Sequence, residues 1–128
     1  MILVDTSVWI ELLKGRPGSG VSPEEALHFV TCGPVVQEVL QGLDRDTFGE
    51  GFRRAFLALP RLSDPLPAAI FLEAAEICRQ GRAKGYAIRS SLDCLIAAVA
   101  IENRVPVWHR GRDFSRIARY TALEVREG

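Results

Sequence analysis

The chain has 128 residues, 48% of them hydrophobic, which suits one domain with a real core and is too short for two ordinary ones. Its longest apolar run, Leu95 to Ile101, is far below a membrane span, and three cysteines without a CxxC pair suggest neither a disulfide framework nor a structural zinc site. The zero net charge hides an asymmetry: Arg79 to Arg119 holds nine basic against three acidic residues, net +6, and the remainder carries −6, so the basic part suits phosphates.

Ile2 to Val4 reads as a strand, and Val8, Trp9, Leu12 and Leu13 continue it as a helix. The start, Met1 to Asp5, has neither the basic nor the apolar region of a signal peptide, so a cytoplasmic protein is expected. A loop from Gly15 to Ser22 precedes Ser22-Pro23-Glu24-Glu25, a helix start with proline at its first position. Phe29 to Cys32 is a second strand. The next helix opens at Gly33-Pro34 and has Val35, Val36, Val39, Leu40 and Leu43 on its apolar face, with Glu38 and Gln41 on the other. A helix from about Thr47 to Leu59 carries Phe48, Phe52 and Phe56 in one stripe, which core packing explains and a binding surface would also use.

The broken stretch Pro60 to Pro67 has room for a short strand at Arg61 to Ser63, and a long helix runs from about Ala68 to Lys84. Ser90 or Ser91 caps a helix in which Leu92, Leu95, Ile96, Val99 and Ala100 keep a 3.6-residue period to Asn103. Val105 to Trp108 and Leu123 to Val125 are the last strands. The alternation predicts an α/β fold with a mostly parallel sheet covered by helices on both faces.

In such a sheet, strand C-termini and helix N-termini share one edge, where ligands bind. Asp5 follows the first strand, Glu38 lies early in the helix after the second, Asp93 opens the helix before the fourth, and Asp113 follows that strand. All four acids fall on that edge. Each also has an ordinary explanation: Asp5 as a helix cap, Asp93 in a Ser90-x-x-Asp93 capping box, Asp113 as cap of a Phe114 to Tyr120 helix, and Glu38 as a solvated side chain. If the acids meet, four carboxylates repel unless a cation sits among them. An all-carboxylate set suits magnesium or manganese rather than zinc. His28 and His109 are too few and too ill-spaced to suggest otherwise, and His109 reads as a surface histidine. A metal so held activates water and clamps charge on a phosphoryl oxygen, while Arg89, Arg110 and Arg112 are placed to track a phosphate backbone.

Four segments in this order resemble the PIN domain, and more narrowly the VapC-type toxin ribonucleases. They are Ile2 to Ile10, Gly33 to Gly42 around Glu38, Ser91 to Ala98 around Asp93, and Arg112-Asp113-Phe114. The resemblance implies a single PIN domain over 1–128 with a five-stranded sheet of order 3-2-1-4-5. It implies a magnesium- or manganese-dependent endoribonuclease with an acidic quartet at Asp5, Glu38, Asp93 and Asp113, and with Ser7 organising the first acid. It further implies a homodimer silenced by a cognate antitoxin. Relatives carry a hydroxyl and a polar side chain before the last acid, where this chain has His109 and Gly111. That departure leaves the second metal position open and makes Asp5 and Asp93 the expected direct ligands, with Glu38 and Asp113 acting through water.

Two other readings stand beside the nuclease. The same fold without catalysis would be an RNA- or protein-binding module, supported only by Gly111. A flavodoxin-like phosphoacceptor would need a lysine late in the chain, and none follows Lys84; dinucleotide binding lacks its glycine-rich fingerprint.

Overall fold

Short apolar runs followed by helix-capping residues fold the chain into alternating strands and helices. The computed structural model describes residues 1–15, 20–43 and 45–128. The strands are β1 (Ile2–Val4), β2 (Phe29–Val30), β3 (Val107–His109) and β4 (Val125–Glu127). All pair in parallel in the order β2-β1-β3-β4, with Leu3 opposite both Val30 and Val107, and His109 opposite Glu127. Parallel strands buried on both faces need continuous apolar sequence, and Leu3, Val4, Phe29, Val30 and Val107 are all buried.

The expected fifth strand is reduced to a single parallel bridge between Thr31 and Arg61. It sits beyond β2, at the edge where the order 3-2-1-4-5 puts the third strand. Its two flanking bonds are Thr31 N–H to the Pro60 carbonyl, 2.9 Å, and Leu62 N–H to the Thr31 carbonyl, 2.8 Å. Pro60 and Pro65 bring no N–H to a ladder, and Ser63 turns the chain at φ 50°, so pairing stops after one step.

Helices α1 (Thr6–Leu13), α2 (Pro23–Ala26), α3 (Gly33–Gly42), α4 (Arg45–Leu57), α5 (Ala68–Ala83), α6 (Ser91–Asn103) and α7 (Asp113–Ala118) cover the sheet. Of the expected loop at Gly15 to Ser22, residues 16–19 lie outside the described residues, as does the Phe48 side chain. The rest of the phenylalanine stripe is core: Phe52 stacks on Phe56, and both meet Trp9 edge-on at 6.1 and 5.2 Å. Burying one such ring contributes roughly 1.5–3 kcal/mol.

α6 is the central helix. Ile96 to Ala100 are buried without a break, so the helix is enclosed all round rather than on one face as its period suggested. Small residues at 97, 98 and 100 let its neighbours approach. Arg104, at φ 54°, then ends α6 in the left-handed region, and Val105 N–H bonds back to the Ala100 carbonyl at 3.1 Å, turning the chain into β3. No described helix is long and apolar enough to cross a membrane.

Candidate active site

The carboxyl edge of the sheet is built by caps. Asp5 ends β1 and caps α1: its Oδ2 accepts from the Ser7 backbone N–H at 3.1 Å and from the Ser7 hydroxyl at 2.6 Å. Ser7 Oγ in turn accepts from Arg110 N–H at 3.1 Å, joining the start of α1 to the loop after β3. Asp5 Oδ1 is buried with no hydrogen-bond partner. The expected capping role is therefore real, and it uses only one of the two oxygens.

Glu38 approaches from α3, where it accepts a hydrogen bond from the Thr6 hydroxyl at 3.0 Å. Partial burial raises its pKa, the Thr6 bond works against that rise, and the charge of Asp5 adds to it. A freely solvated Glu38 is not what forms.

Asp93 lies in the first turn of α6, its N–H donating to the Ser90 hydroxyl at 3.3 Å. Half of the expected capping box thus forms. The Ser90 N–H goes instead to Asp113 Oδ2 at 3.0 Å, and Arg89 N–H reaches the same oxygen at 3.1 Å. Asp113 does not cap its own helix, whose N-cap residue Arg112 makes no side-chain cap bond. It instead pins the start of α6 from 23 and 24 residues away.

Burial pushes Asp93 up to about 8, compounded by the charges of Asp5, Asp113 and Glu38 and by a hydrogen bond with Asp113. The charges of Asp5, Asp113 and Glu38 all act on Asp93, so the other three acids lie within electrostatic range of it. Among the described residues, no three His, Cys, Asp or Glu side chains are grouped closely enough to hold a metal ion. The acids thus converge at Coulombic range, with an unpartnered oxygen on Asp5 and a carboxyl on Asp93 that resists ionising alone. All the donors are carboxylate oxygens, and a hard divalent cation fits both the orphaned oxygen and the unbalanced charge.

His109 is corrected by the structure. It ends β3 with 1% exposure, packed against Phe114, and burial lowers its pKa. β3 runs to residue 109, past the expected end at Trp108, which carries the imidazole inside. Gly111 is exposed, and a Cβ there would meet nothing within 4 Å, so no steric demand explains the glycine. Arg89, Arg110 and Arg112 are exposed. Sequence reasoning missed Thr6, which holds Glu38. Thr6 adjoins Asp5 at the first helical position, so a signal was present.

Beside Glu38, a groove of about 180 Å³ is lined by apolar side chains including Ile10, Leu13, Val39 and Leu43. Glu38 itself forms part of the groove's wall.

A family model described as the PIN domain matches residues 2–120. VapC ribonuclease Mb1587 from Mycobacterium bovis is 37% identical over 130 residues, covering 97% of this chain and 96% of that protein. Ribonuclease VapC11 from Mycobacterium tuberculosis matches with the same identity and coverage. Among solved structures, VapBC-1 from nontypeable Haemophilus influenzae is similar in fold, with a TM-score of 0.71 at 19% identity over 99% of this chain and 98% of that one.

Proposed function

This chain belongs to the PIN-domain family, alongside VapC ribonucleases, and we propose that it is a divalent-metal-dependent endoribonuclease acting as the toxin of a toxin–antitoxin pair. The observation that carries the reading is the meeting of Asp5, Glu38, Asp93 and Asp113 from four separate segments, felt at Asp93 as a carboxyl pushed up to about 8.

The roles follow from the contacts. Asp5 Oδ1 and Asp93 are the oxygens left to ligate magnesium or manganese, because Ser7 occupies Asp5 Oδ2 and holds the carboxylate in one orientation. Glu38, steadied by Thr6, and Asp113, engaged by the Arg89 and Ser90 N–H groups, act from the next layer, through water. When bound, the cation supplies an activated water and neutralises charge developing on the scissile phosphate. Arg89, Arg110 and Arg112 draw the RNA backbone to the acids.

Partner and compartment belong to the same reading. The apolar groove beside Glu38 suits the antitoxin segment, since a chain seated there would lie against the acids. A cytoplasmic homodimer is the expected form. The test is incubation of partner-free protein with a structured RNA pool in magnesium or manganese. Cleavage that chelation abolishes and metal restores is expected; cleavage indifferent to chelation, or none under either metal, would refute the reading.

A further inference from the structure

On the β4 side of the acids a cleft of about 650 Å³ opens between the loop after β3 and α7, lined by Arg110, Arg112, Arg116, Arg119, Tyr86 and Ser115 among others. Four of these six residues had no assigned role in the nuclease reading: Arg116, Arg119, Tyr86 and Ser115. The cleft shares a wall with the acids. Arg110 bonds through its N–H to the serine that holds Asp5, and Arg112 adjoins Asp113.

Four guanidinium groups around one cavity repel one another unless anions enter it. Internal carboxylates do little of that work: Arg110 and Arg116 approach Glu11 and Asp113 only at 3.9 Å. Arg112 and Arg119 are exposed and make no ion pair among the described residues. Arg116 is oriented by the Ala87 carbonyl at 3.0 Å. The aromatic group is also held in place: Tyr86 stacks on Tyr120 at 5.6 Å, and the Tyr120 hydroxyl donates to the Ile77 carbonyl at 2.8 Å. Glu127, engaged by Ser115 at 2.6 Å, brings negative charge to another part of the wall and so directs an anion toward the arginines.

The volume is in the range of small-ligand pockets, enough for one or two nucleotides and too small for a duplex. Cations that grip phosphate beside an aromatic face are the recurring means of holding single strands. We propose that this cleft is a nucleotide subsite for single-stranded RNA, in which the arginines hold the phosphate next to the scissile one and Tyr86 stacks its base. The polymer's identity rests on the nuclease reading; the subsite itself rests on the cleft.

Binding is measured in chelator, where no cleavage interferes, by fluorescence anisotropy of a labelled single-stranded RNA of about a dozen nucleotides. Arg112→Ala with Arg119→Ala, both at exposed positions, should weaken binding about ten-fold or more and make the salt dependence shallower by up to roughly 0.7, the value for one lost phosphate contact. Tyr86→Leu should weaken it about five-fold or more with the salt slope unchanged, as loss of one stacked base requires. Wild-type affinity and slope in both variants would overturn the subsite, as would failure of the wild-type protein to bind RNA. Equal affinity for poly-glutamate, competing for the same arginines, would also overturn it and make the cleft a dock for an acidic protein segment. Arginine-dependent binding without cleavage in manganese would leave the subsite standing and refute only the nuclease.

Discussion

The Thr6 hydroxyl donates to Glu38 at 3.0 Å across 32 residues of sequence, tying the first turn of α1 to the middle of α3. A hydrogen bond to a charged group is worth about 1.5–3 kcal/mol, and here it counters burial, which raises the pKa of Glu38. Thr6→Val keeps the shape and removes the donor. The expected outcome is a folded protein in which Glu38 titrates higher still, so that the acid limb of its cleavage profile moves to higher pH. A pH–rate profile of the variant against wild type reads this directly.

Asp93 makes the cation-free protein sensitive to pH. Its folded pKa, about 8, lies above the ordinary aspartate range, so the folded state keeps a proton that the unfolded chain releases. Its contribution to stability is full below the unfolded value and is lost as pH rises from about 4 towards 8. Glu38 acts in the same direction, whereas His109, held neutral by burial, gains relative stability as pH rises through the ordinary histidine range. Comparison with Asp93→Asn isolates the aspartate. In chelator at pH 8 that variant should unfold roughly 5 °C higher than wild type, with the difference shrinking towards pH 5. Thermal unfolding across that range checks it.

Asp113 should separate its structural role from its charge. Asp113→Asn keeps an oxygen for the Arg89 and Ser90 N–H groups, whereas Asp113→Ala leaves two donors at the start of α6 unsatisfied. The alanine variant is expected to lose about 2–4 kcal/mol in denaturant unfolding, and the asparagine variant less than half of that.

Gly81 lies where α5 meets the end of α7. A Cβ there would collide with the Tyr120 hydroxyl and come within 3.1 Å of Ile88 Cγ1. That hydroxyl is engaged by the Ile77 carbonyl and its ring by Tyr86, so it has little freedom to give way. Gly81→Ala is therefore expected to cost about 1–3 kcal/mol, read as a lower unfolding midpoint, although alanine normally favours a helix.

What could be read from the chain was what local chemistry controls. The strand at Ile2–Val4, the proline start at Pro23 and the Ser90 cap depend on neighbours in sequence, and strand alternation alone put the four acids on one edge. What escaped depends on distant partners. Nothing near Glu38 announces Thr6, and nothing near Asp113 announces that its oxygen goes to residues 89 and 90 rather than to its own helix. His109 reads from the sequence as a surface histidine or one at the rim of the site, whereas β3 extends through it and buries it. In a strand a single residue of extension decides whether a side chain joins the core. The stretch at Arg61 failed as a strand because two prolines and a left-handed serine limit it to one bridge.

The claim on which the rest depends is that Asp5 and Asp93 belong to one divalent-cation site. Manganese titration followed by electron paramagnetic resonance tests it without relying on catalysis. Wild-type protein should bind manganese more tightly as pH rises to 8, as the Asp93 proton is displaced. Asp5→Asn and Asp93→Asn should each weaken that binding about ten-fold or more while remaining folded. Manganese binding of equal strength in wild type and both variants would contradict a shared site.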